Sequence, residues 1–184
     1  MPALLPWIER TFDFSYPVEW YPDIVERFRG LPARVEDRVR LLPAAVLTRS
    51  DGHGWTIQEK IGHLLSLEPL FDGRIDDFLE GLPMLRAADM TNAGTHAAGY
   101  NRRPIGEVLA ALRAARQHQA ARLDGLGAAA FSRVSVHPRL KRPMRLVDAV
   151  CFCVLPRRLP HGEDGGTGPN FHVRLKPVTT GNHD

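Results

Sequence analysis

GWTIQEKIGHLLSLEPLFDGRIDDFLEG, residues 54–81, is the stretch whose reading decides the fold. Ile57, Ile61, Leu64, Leu65, Phe71, Ile75, Phe78 and Leu79 recur at helical spacing, so one stripe of a long helix faces a core. Thr56 with Glu59 three residues later is a capping box: each side chain takes the backbone N–H of the other and satisfies two orphan donors of the first turn. Gly81 and Pro83 close the element.

Working outward, residues 17–43 give a helix, a break at Gly30–Leu31–Pro32, and a second helical piece ending at Pro43. Trp7, Phe12, Phe14 and Tyr16 follow no period and read as an extended arm packed on the body. Residues 86–104, RAADMTNAGTHAAGYNRRP, read as a long polar connection. Pro104 stands in the first turn of a third helix that stops at Gly125 or Gly127. FSRVSVHPRLKRPM, 131–144, reads as a small irregular or hairpin insert. Leu146, Val147, Val150 and Val154 then open a fourth helix. There is no internal repeat. The expected fold is all-α, a four-helix bundle with one long crossover, its fourth helix truncated near residue 155.

A chain of 184 residues suits one domain, large enough to bury roughly 70% of its unfolded surface. The 24 basic residues are nearly matched by 21 acidic ones, interspersed as on solvated helix faces, so no nucleic-acid partner is expected. No segment approaches the ~20 apolar residues that span a bilayer, so no membrane partner is expected either. MPALLPWIERTFDF has neither a basic start nor a long apolar run, and Cys151 and Cys153 read as free buried thiols. Both point to the cytoplasm.

His63 lies on the core-facing side of the long helix. One imidazole cannot fix a divalent ion, because catalytic sites need about three protein ligands. Its residue type fits either a metal ligand or a satisfied core histidine. Glu59, one turn earlier, either orients the His63 ring as an outer acceptor or only closes the capping box. His53, His96, His118, His137, His161, His172 and His183 fall in loops, polar faces or patternless sequence.

The run Trp-Thr-x-x-Glu-x-x-x-His-Leu, Trp55 to Leu64, with PMRLVD downstream at 143–148, resembles the DinB-like (damage-inducible) superfamily of metal-binding four-helix bundles. The likeness covers roughly residues 20–154. It implies a divalent metal, zinc or nickel, held by three histidines, with His63 as the first. It also implies hydrolase or thiol-dependent transferase activity on a small-molecule or thiol substrate, and pairing into a homodimer. It implies no DNA binding. The other two ligands of the family form a His-x-x-x-His pair on the last helix, soon after the RLVD segment.

Here the sequence departs from the family. Pro156 and Pro160 stand where that pair belongs, in VLPRRLPHGEDGGTGPNFH, residues 154–172, whose prolines and glycines break the helical period. The genetic code permits an explanation. Pro156 to Asp164 can be encoded CCA CGA CGA CTA CCA CAT GGC GAA GAT, followed by the G of Gly165. Read one base later, the same bases give His-Asp-Asp-Tyr-His-Met-Ala-Lys-Met, the missing pair running on into a helix. The sequence thus divides into a DinB-like bundle, 1–154, and an irregular tail, 155–184, expected to be out of frame and poorly ordered. The expected chain is ancestrally a metal-dependent hydrolase or transferase, inactive because two ligands are missing. The alternative is a metal-free helical scaffold or a module that binds a small ligand or partner.

Overall fold

Thr56 and Glu59 form the capping box as their spacing requires. Glu59 N–H donates to Thr56 Oγ1 at 3.1 Å, and Thr56 N–H donates to Glu59 Oε2 at 2.9 Å. A computed structural model describes residues 14–154 except 51 and 53. Its helices are α1 (Tyr21–Arg29), α2 (Leu31–Val39), α3 (Ala44–Leu47), α4 (Ile57–Leu79), α5 (Ala93–Ala97), α6 (Ile105–Asp124), α7 (Ala128–Phe131) and α8 (Leu146–Val154). The strands β1 (Val134–His137) and β2 (Arg142–Arg145) pair antiparallel, so residues 131–144 carry a hairpin.

Five of these elements build the bundle, with α1 and α2 together forming one of its four arms. The bent pair α1–α2 packs on α6, α6 packs along α4, and α1 packs on α8. The bend needs no break in helical dihedrals, because Gly30 keeps φ −76° and ψ −4°; Pro32, lacking an N–H, begins the new helix. Ion pairs lace the seams: Arg29 to Asp124 at 2.8 Å joins α1 to α6, and Arg122 reaches Asp72 at 2.5 Å and Asp76 from α6 to α4.

The start of α8 is fixed by its own sequence. Arg145 N–H and guanidinium both donate to Asp148, and the same guanidinium donates to the carbonyls of Phe14 and Tyr16. Arg145 thereby ties the N-terminal segment to the last helix. Phe14 also meets Phe152 edge-on at 6.3 Å. This much of the expected packed arm is seen, while residues before Phe14 lie outside those described.

The direction of α8 follows from two contacts. Leu146 N–H donates to Arg133 O, and Arg133 donates to the carbonyl of Leu79 at the C-terminus of α4. At its other end, Phe152 meets the ring of His137, which touches Arg74. The helix α8 therefore runs antiparallel to α4, from the level of Leu79 back to that of Arg74.

The core is divided. One apolar cluster joins Ile24 and Phe28 of α1, Ile75 and Phe78 of α4, Leu123 of α6, and Leu146, Val147 and Val150 of α8. The second joins Val35 and Val39 of α2, Leu47, Ile61, Tyr100, Val108 and Leu112. A layer of buried polar side chains, Glu68, Arg116 and Gln119, accompanies the two clusters. This corrects the reading of the α6 arginines as solvated: Arg116 is fully buried and pairs with Glu68 at 2.8 Å, whereas Arg113 and His118 are exposed.

The polar connection also needs correction. Residues 93–97 form α5, a single 3-10 turn follows at Tyr100–Arg102, and both lie against α4. Thr95 and Tyr100 are buried there. No helix of the described residues is long and apolar enough to cross a membrane. The tail 155–184, the truncation of the fourth helix near residue 155, and His53, His161, His172 and His183 lie outside the described residues.

Candidate functional site

His63 sits in the second turn of α4, where the capping box has fixed the helix start. Its ring lies 4.6 Å from that of Trp55, and Nδ1 is 3.1 Å from Thr95 Oγ1 on α5. Hydrogen bonding at one ring nitrogen selects a tautomer and orients the other. Glu59, one turn earlier, has its carboxylate oxygen Oε2 on Thr56 N–H in the capping box. Thr95, 32 residues away in sequence, supplies a contact to the ring from a second element.

The segment that brings Thr95 is clamped to α4 by three devices. Gln58 Nε2 donates to the carbonyls of Tyr100 and Arg103, each at 2.6 Å. Thr56 Oγ1 donates to Asn101 Oδ1 at 2.8 Å. Tyr100 lays its ring on Gly62 and places its hydroxyl 2.8 Å from Ser66 Oγ. A Cβ at position 62 would sit 2.1 Å from Tyr100 Cγ, so only glycine allows this approach.

Gly62→Ala is therefore expected to destabilise the fold by roughly 1–3 kcal/mol through overpacking. It should also loosen the Thr95 contact with His63. Urea denaturation and the His63 ring resonances would check both effects. An unchanged midpoint would contradict the packing described.

His96, set aside in the sequence as part of a polar connection, meets the same Trp55 ring at 5.6 Å and is exposed. Among the described residues, however, no group of three or more His, Cys, Asp or Glu side chains could hold a metal ion. The described residues alone therefore do not fit a bound metal. His63 stands as a single candidate ligand, and positions 156 and 160 are outside the described chain.

A second histidine was missed. His137, at the end of β1, is 4% exposed and faces Arg74 at 3.2 Å through Nε2. Its Nδ1 accepts the N–H groups of Arg139 and Leu140. Burial first, then the cations Arg74 and Arg139, lower its pKa to about 4. Nearby, Asp77 is almost fully buried; burial would raise its pKa, but Arg86 outweighs this and holds it below the usual carboxylate range. That ion pair lies over Gly73, where a side chain would collide with the Arg86 guanidinium.

The family model of the DinB superfamily matches residues 27–154. The chain belongs to the DinB superfamily. Its structure is similar to that of YfiT from Bacillus subtilis, described as a probable metal-dependent hydrolase with an unusual four-helix bundle topology. The two share 23% identity, with 79% of this chain and 84% of that chain covered and a TM-score of 0.68. At that identity the likeness speaks for the fold. No curated protein matches the chain. The DinB match ends at Val154, the last residue of α8, and includes the capping box, His63 and the Arg145–Asp148 start of α8.

Proposed function

We propose that this chain is a DinB-superfamily protein descended from a divalent-metal-dependent hydrolase or thiol-dependent transferase, and that it has lost that activity with two of three histidine ligands. The observation that carries the reading is the course of α8. It runs antiparallel to α4 and reaches the level of Arg74 at Cys153. On the same axis, positions 156 and 160 lie one to two turns further on, in the direction along α4 that leads toward His63. A His-x-x-x-His pair in those turns would present two imidazoles on one helix face toward it. The written sequence carries prolines there, and the next reading frame permits the pair.

The supporting chemistry is that of the donor set. Structural and catalytic metal sites draw on three or four protein ligands, and among the described residues His63 is grouped with no others that could complete such a set. Zinc or nickel, a small-molecule or thiol substrate, a homodimer and a cytoplasmic setting belong to the ancestral reading.

The test is the gene sequence across codons 145–170, joined to metal content. A next frame reading His-Asp-Asp-Tyr-His is expected. A frame-restored chain should then purify with one zinc or nickel per chain and lose it in His63→Ala, while the present chain carries none. A gene with no coherent second frame, or stoichiometric metal on the present chain, would overturn the reading.

A further inference from the structure

The connection between α4 and α6 is fixed to the bundle at both ends and hardly at all between them. At the first end, the Arg86 N–H and guanidinium donate to Asp77, and Arg74 donates to Arg86 O. At the second, Gln58, Thr56 and Ser66 bond residues 100–103, and the Tyr100 ring lies on Gly62. Between these anchors run residues 87–99. Among the described residues, they join α4 and the Trp55 before it through one hydrogen bond and one ring contact. Thr95 Oγ1 meets His63 Nδ1 at 3.1 Å, and the His96 ring meets that of Trp55 at 5.6 Å.

The composition of this span keeps its hold weak. Ala93, Gly94, Ala97 and Ala98 have at most a methyl group to bury, and of residues 87–99 Thr95 alone is buried. Ala98 adds a half-buried methyl against the second apolar cluster. The other hydrogen bonds are internal: Asp89 accepts the N–H groups of Thr91 and Ala93, His96 N–H donates to Asn92 O, and Ala98 N–H donates to Gly94 O. A segment that buries so little apolar surface opens at small cost.

The backbone sets where it can turn. Asn92 and Gly99 flank α5, and both stand in the left-handed region, at φ 56° and 58°. Glycine and asparagine visit that region at the least cost. Residues at the ends of an element are also those that absorb the dihedral change of a hinge.

We infer that α5, carried between Asn92 and Gly99, is a flap that opens and closes over His63, with the Thr95 hydroxyl as its latch. Opening parts two pairs together, Thr95 from His63 and His96 from Trp55, while the clamp on residues 100–103 stays in place. The open form bares the Nδ1 edge of His63 and the side of Trp55 that His96 meets; the closed form occupies that edge with a hydroxyl. What the flap serves rests on the reading of His63 as the functional residue. The motion itself requires neither a metal nor the sequence beyond Val154.

Native-state hydrogen exchange of the full-length chain compares the amides of His96 and Ala98 with those of residues 61–65 in α4. The α5 amides are expected to exchange faster by on the order of 100-fold, with no dependence on low urea, while the α4 amides follow global unfolding. Thr95→Val keeps the side-chain shape and removes the hydroxyl. It should speed the α5 exchange about three- to tenfold, the span of one net hydrogen bond. Diethylpyrocarbonate labelling, resolved to single histidines by peptide mass spectrometry, should rise at His63 by a similar factor and stay constant at the exposed His118. Should that variant fail to fold, the wild-type urea series decides. Exchange in α5 that tracks α4 through the urea series, exchange unmoved by Thr95→Val, or His63 labelling indifferent to that substitution would each overturn the flap. A gene without a coherent second frame would end the metal reading and leave these rates where they are.

Discussion

Arg116→Met is expected to cost the fold roughly 3–5 kcal/mol, and adding Glu68→Gln is expected to recover most of the loss. The guanidinium and carboxylate are 1% and 2% exposed, so either left alone is an uncompensated buried charge. Nε of Arg116 donates to Glu68 Oε1 at 2.8 Å, and the guanidinium lies 4.0 Å from the centre of the Phe28 ring and 5.6 Å from that of Phe71. Methionine keeps much of the volume and the contact with both rings while removing the charge. With total stabilities of about 5–15 kcal/mol, the single variant sits near the edge of folding. Urea denaturation of wild type, both single variants and the double variant closes the cycle. A single variant within about 1 kcal/mol of wild type would show that the pair adds nothing beyond its packing.

Acid should unfold this protein through His137. The imidazole titrates near 6.5 in the unfolded chain and at about 4 in the fold, so the unfolded state takes up a proton first. The stabilisation is complete above pH 6.5 and is lost as the pH falls from there toward 4. At about 1.36 kcal/mol per pH unit, the loss over this window is on the order of 3 kcal/mol. His137→Asn keeps an acceptor for the Arg139 and Leu140 N–H groups but cannot titrate. Its stability should be flat where wild type falls. Equal slopes for the two proteins between pH 6.5 and 4 would contradict this account.

The sequence carried those parts of the structure that depend on near neighbours. The Thr56–Glu59 cap, the stripe on α4, the kink at Gly30–Leu31–Pro32 and the hairpin at 131–144 are local patterns with local physical causes. The family resemblance was equally legible, because Trp55, Thr56, Glu59, His63 and the RLVD start of α8 lie in short runs. What stayed hidden depends on partners far apart in the chain. Arg116 looks like any helix-surface arginine until Glu68, 48 residues away, is seen beside it. Thr95 and Tyr100 sit among small polar residues that hide their burial. His137 precedes a proline in what reads as a loop, and only the fold brings Arg74 against it. A glycine in mid-helix was the one available signal for Tyr100, since Gly62 costs helix stability unless something needs its missing side chain.

The division of the core has a consequence for inheritance. The cluster closed by α8 draws its described members from residues up to Val154, and the family match ends at the same residue. The codons for Leu146, Val147 and Val150, which close this cluster from α8, are therefore held by packing as well as by any activity of the site. A change at one of them acts on stability before it acts on any chemistry at the opposite end of the bundle.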